Sequence, residues 1–135
     1  MQKEIKNRKP GVRTKLFIAD ETIGIGKIEL LEALDKTGSI SAAAAQMGMD
    51  YRRAWFLLHS TQAGFNAPLF HTKRGGAQKG GATLTALGKE LITQYYATKS
   101  MVDTHSAALL KWLEQYQADP ETVQQSQNNI LEEQS

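Results

Sequence analysis

Residues 72–83 read TKRGGAQKGGAT, with four glycines, two lysines, one arginine and no acid in twelve positions. Such a stretch is chemically suited to gripping an anion. Lysine and arginine neutralise phosphates, and glycine lets a backbone approach closely and tolerates φ > 0. A second basic pair, Arg52-Arg53, lies twenty residues upstream. Two phosphate-binding patterns do not fit. A P-loop needs G-x-x-x-x-G-K-[ST]. Gly75 and Gly80 have the first spacing, but Gly81 and Ala82 stand where lysine and Ser/Thr belong, and the register from Gly76 to Gly81 also lacks the lysine. A dinucleotide fingerprint finds only two glycines in GIGKIE.

Catalytic chemistry finds little material. The chain has no cysteine, which removes disulfides, thiolate zinc sites and thiol nucleophiles and suits a reducing cytoplasm. His59, His71 and His105 stand far apart without a second ligand at metal spacing, and His59 beside Ser60 is mere adjacency, because neighbouring helical side chains diverge. The expectation is no enzyme, no metal and no cofactor. No apolar run approaches the roughly 20 residues of a membrane helix, and no apolar segment follows the basic N-terminus as a secretory signal requires.

Charge alternates in blocks. Residues 1–15 hold six bases and one acid, and 51–82 hold five bases and no acid. Residues 16–50 and 83–135 are net acidic, so the overall charge is only +2. Clustered bases, rather than net charge, are the footprint of a nucleic-acid binder.

The elements that must position these bases follow from periodicity. Residues 1–12 read as a flexible basic arm, in which Lys3, Lys6, Arg8 and Lys9 are available for a DNA contact. RTKLFIAD, 13–20, reads as a short strand. Ile28, Leu31 and Leu34 then mark an amphipathic helix that Gly38 ends. Ser39 or Ser41 is an N-cap for a short alanine-rich helix ending near Met47-Gly48-Met49. Asp50 caps a second helix running to about Gln62. Two short helices joined by a glycine-containing turn form a helix-turn-helix. LFHTK and ATL read as strands flanking the glycine-rich loop, and Thr85 caps a last helix over about 86–117. Its stripe of Leu84, Leu87, Leu91, Tyr95, Val102, Leu109, Leu113 and Tyr116 is too long to bury within a small domain and calls for a partner subunit. From Asp119-Pro120 the composition predicts a disordered polar tail, 119–135.

The fold class is therefore mainly α with a small β-hairpin wing: a winged helix-turn-helix over 13–118 with a long C-terminal dimerisation helix. GSISAAAAQMGMDYRRAWFLL followed by RGGAQKGGATLTALGKELI resembles the N-terminal DNA-binding domain of the ModE-type molybdate-responsive transcription regulators. The first half is shared with LysR-type regulators; the paired glycines and L-T-x-x-G are more particular. The resemblance covers roughly residues 15–117 and implies a DNA-binding transcription regulator. ModE-type regulators continue into β-barrels that bind molybdate. This sequence holds no such segment, so no molybdate binding is expected.

The expected DNA-binding residues are Ser41, Tyr51, Arg52, Arg53 and Phe56 around a recognition helix at about 51–62, with Lys73, Arg74 and Lys79 in the wing over 73–82. Arginine in the first turn of such a helix reaches guanine O6 and N7. Trp55 and Leu58 are expected in the core. Leu91, Tyr95, Val102, Leu109, Leu113 and Tyr116 are expected at a homodimer interface. The expected partners are double-stranded DNA and a second copy, in the cytoplasm and away from membranes. A protein-interaction module and a non-specific nucleoid-type binder are the competing readings.

Overall fold

The computed structural model describes residues 8–73 and 81–134. The chain packs as two units, Arg13–Met101 and a second one made of Val102 onward with the residues up to Val12.

The first unit opens with an antiparallel hairpin, β1 (Leu16–Ile18) and β2 (Glu21–Ile23), where a single strand was expected. The turn residues Ala19 and Asp20 both have positive φ, 47° and 68°. That is the two-residue turn whose twist suits a hairpin, although neither position holds the usual glycine. Helix α1 (Ile25–Thr37) follows and ends at Gly38, left-handed at φ 81°, whose N–H donates to Leu34 O at 2.9 Å. The expected Ile28, Leu31 and Leu34 are buried, and so are Leu30 and Ala33. This wide apolar face exists because α1 is the central element, packed by its neighbours on more than one side.

Helices α2 (Ile40–Met47) and α3 (Tyr51–Ala63) pack on α1 through Ala43, Ala44, Ala54 and Leu58. Three of these four are alanines, which lets the helix axes approach closely. Strands β3 (Phe70–Thr72) and β4 (Ala82–Leu84) pair antiparallel as the expected wing hairpin, with Phe70 opposite Leu84. The turn between them lies outside the described residues, and with it Arg74 and Lys79.

Helix α4 (Ala86–Tyr116) begins at the expected Thr85, whose Oγ1 accepts from Gly88 N at 3.1 Å and donates to Pro68 O at 2.7 Å. Its N-terminal half packs on the core through Leu87, Leu91 and Ile92. Tyr95, with Ile23 and Ile28, forms a second apolar cluster, and its hydroxyl donates to Thr14 O at 2.7 Å. This corrects part of the expected dimer stripe. Tyr95 is 1% exposed within one chain, so its surface is already covered, whereas Leu91 is half-buried.

In the second unit, residues 120–134 form helix α5 (Pro120–Gln134) where a disordered tail was expected. The start signal is local: Asp119 Oδ1 accepts from Thr122 N at 2.8 Å, Pro120 takes the first helical position and Glu121 sits in the first turn. All described residues of α5 are exposed. Gln117 Nε2 donates to Arg8 O at 2.8 Å, which ties the described end of the N-terminal arm to this unit.

Candidate nucleic-acid interface

The turn between α2 and α3 is three residues long, Gly48 to Asp50. Gly48 adopts φ 70°, a conformation an L side chain rarely takes, and its N–H closes the end of α2 on Ala44 O and Ala45 O. Asp50 Oδ1 accepts from Arg53 N at 2.8 Å and so starts α3. Ser39, not Ser41, caps α2, accepting from Ala42 N at 3.0 Å. Ser41 is therefore left exposed in the first turn of α2.

Burial on α3 is one-sided. Ala54, Leu58 and Thr61 face the core, and Thr61 satisfies its hydroxyl on Leu57 O at 2.7 Å. At 100° per residue the opposite side carries Arg52, Phe56 and Ala63, flanked by Arg53 and Trp55. Tyr51, Arg52, Arg53 and Phe56 are all exposed, Phe56 at 64%. Trp55 corrects an expectation. It is 44% exposed rather than buried, and its ring lies against His59, centroid to centroid 4.0 Å and tilted 31°. His59 in turn meets the edge of Phe70 on β3, at 5.4 Å and 78°. Its Nε2 is enclosed without a hydrogen-bond partner, and burial lowers its pKa from the ordinary 6.5. The aromatic types were visible in the sequence. Their stacking was not, because Phe70 reaches His59 only through the tertiary fold.

The wing is fastened to the helix-turn-helix by backbone bonds. Ser39 and Gly81 form a β-bridge, and Ala82 N donates to Gly38 O at 2.8 Å. Lys73 N donates to Gly81 O at 2.7 Å and closes the hairpin base, with Lys73 exposed. The start of α2, with Ser41, thus adjoins the base of the wing. No sequence signal marks that junction.

Among the described residues no group of three or more His, Cys, Asp or Glu side chains could hold a metal. No helix among them is long and apolar enough to cross a membrane.

This architecture has counterparts. Residues 25–89 match the bacterial regulatory helix-turn-helix proteins of the lysR family. Over these residues the chain is similar to a LysR-type helix-turn-helix domain. The resemblance to ModE-type regulators holds as well. The chain is 39% identical over 80 residues to the molybdenum-pterin-binding protein MopB of Rhodobacter capsulatus, covering 59% of this chain and 30% of that protein. It is 43% identical over 63 residues to the molybdenum transport protein ModE of Herbaspirillum seropedicae, covering 47% of this chain and 23% of that one. It is 36% identical over 69 residues to the transcriptional regulator ModE of Yersinia pestis, with 51% and 26% covered. The chain thus spans less than a third of the length of these relatives. A solved LysR family transcriptional regulator superposes with a TM-score of 0.48 at 19% identity, covering 64% of this chain and 28% of that one. The matched residues take in α1, α2, α3, the wing strands and the start of α4.

The second unit holds the remaining stripe residues. Val102 is half-buried, whereas Leu109, Leu113 and Tyr116 are exposed. Trp112, absent from the expected stripe, is 54% exposed and lies against Tyr116 at 5.2 Å. Its signal was present, since Leu109, Trp112, Leu113 and Tyr116 stand at i, i+3, i+4 and i+7.

Proposed function

We infer that this protein is a sequence-specific, double-stranded-DNA-binding transcription regulator acting as a homodimer in the cytoplasm, and not an enzyme. The observation that carries the reading is the one-sided burial of α3. With Ala54, Leu58 and Thr61 holding the helix to the core, Arg52 and Phe56 project from the opposite face of a capped second helix. A major groove about 12 Å wide admits such a helix, and arginine is the side chain that pairs bidentately with guanine there. Ser41 and Lys73 are exposed beside the wing base, and in this reading they bond phosphates. Arg74 and Lys79 extend that role by their charge in the sequence. Phosphate contacts set register and base-edge contacts set sequence.

The exposed Leu109, Trp112, Leu113 and Tyr116 face supports the homodimer. A helix with one bare apolar stripe gains by covering it, and a second copy presents the same stripe.

The test is fluorescence anisotropy with DNA enriched from random fragments, against scrambled DNA, at two salt concentrations. A preference that survives high salt supports the reading. Equal binding that vanishes with salt overturns it in favour of phosphate attraction alone. Arg52→Ala should relax the sequence preference, at about 1–3 kcal/mol for a lost bidentate contact. Leu109→Asp with Leu113→Asp should give monomers in analytical ultracentrifugation; an unchanged dimer would reject this interface.

A further inference from the structure

Trp55 has a position that calls for an account. A tryptophan left 44% exposed beside a well-packed core would ordinarily be covered, yet this one is held in place rather than folded away. His59 lies against its ring at 4.0 Å, and Phe70 from β3 braces His59 with its edge. Leu58, the next core position along, is fully buried, so the helix has not rolled to expose Trp55 by accident. The result is a braced, half-exposed indole on the flank of the α3 face that carries Arg52 and Phe56.

In the major groove every base-pair edge offers polar atoms, and the C5-methyl of thymine is the one apolar group. A rigid apolar ring on a groove-reading face has that methyl as its complementary target. We propose that Trp55 reads a thymine methyl group within the DNA site, and that His59 is the positioning residue that fixes the indole for it. This rests on the DNA-binding reading above and extends it to a specific chemical group. Stacking restricts the indole before binding, so less side-chain freedom is lost when the contact forms. Phe70 ties that restriction to β3, the strand that leads into the wing.

The experiment uses the full chain and sites enriched from random DNA. Each thymine is replaced singly by deoxyuridine, which removes only the methyl and keeps the O4 acceptor that the indole N–H could otherwise use. Wild type should lose about fourfold in affinity at one thymine, the factor set by one buried methyl-sized group. Trp55→Ala should bind more weakly and be indifferent to that replacement. His59→Ala should lose most of the methyl sensitivity, and His59→Phe, which keeps a ring for the stack, should restore it; a merely structural histidine would leave the sensitivity unchanged in both. Circular dichroism on each variant checks that α3 is intact, and the histidine pair carries the test if Trp55→Ala unfolds. If the thymine effects persist undiminished in Trp55→Ala, or in His59→Ala should that be the folded variant, the assignment is overturned while DNA reading stands. If wild type prefers no sequence at all, both fall.

Discussion

Gly88 lies directly against the backbone of Leu69: a Cβ on Gly88 would stand 2.2 Å from the Leu69 carbonyl oxygen. That oxygen also accepts from Thr85 N at 2.9 Å. The threonine and glycine of L-T-x-x-G therefore dock the start of α4 onto the residue just before β3. Glycine to alanine in a helix ordinarily gains about 1 kcal/mol. Here the sign reverses, because the obstructing atom is backbone and cannot rotate away. Gly88→Ala should cost at least about 1–3 kcal/mol in urea denaturation. A gain in stability would show that the junction has room.

The β1–β2 turn holds Ala19 and Asp20 at positive φ without glycine. A left-handed conformation costs an ordinary L residue about 1–2 kcal/mol. The double change Ala19→Asn, Asp20→Gly supplies the pair that this turn favours and should raise stability by about 0.5–1 kcal/mol. Thermal unfolding measures it, and a lower midpoint would mean the turn depends on the present side chains.

The two serines at the head of α2 should separate by phenotype. Ser39 caps the helix through Ala42 N, whereas Ser41 is exposed beyond the cap. Ser39→Ala should cost about 1 kcal/mol of stability. Ser41→Ala should leave stability within about 0.5 kcal/mol and weaken DNA binding at all sequences alike. If Ser41→Ala binds as wild type does, its hydroxyl makes no phosphate contact.

Two groups give stability a dependence on pH. Burial lowers the pKa of His59 from 6.5, so the unfolded chain takes up the proton more readily. Stability is therefore lost as the pH falls through about 6.5. Tyr96 acts in the other direction. Its hydroxyl donates to Glu32 Oε1 at 2.5 Å, which, with desolvation and the nearby carboxylate charge, pushes its pKa up to about 12 from 10.0. That contribution is fully present below pH 10 and is lost as the pH rises towards 12. Melting temperatures of His59→Phe should decline less on the acid side, and those of Tyr96→Phe less on the alkaline side. Unchanged slopes would assign the dependence to other groups.

Much of this domain was legible in the sequence, because its signals are local. Gly38 and Gly48 end helices, Asp50 and Thr85 begin them, and Ile28, Leu31 and Leu34 mark a buried face, each within a turn or two of chain. Arg52 and Arg53 could be placed on an exposed helix start by counting from Asp50. Asp119-Pro120-Glu121 was an equally local start signal for α5, which the polar composition downstream obscured. Contacts between residues distant in the chain were decided only by the tertiary structure. Tyr95 has the spacing of an interface residue, yet it is consumed by Ile23, Ile28 and the carbonyl of Thr14. Trp55 has the composition of a core residue, yet Leu58 and Ala54 fill the core side of α3 and leave the indole stacked on His59 outside it. Periodicity assigns a residue to a side of its helix; what lies against that side depends on segments it cannot see.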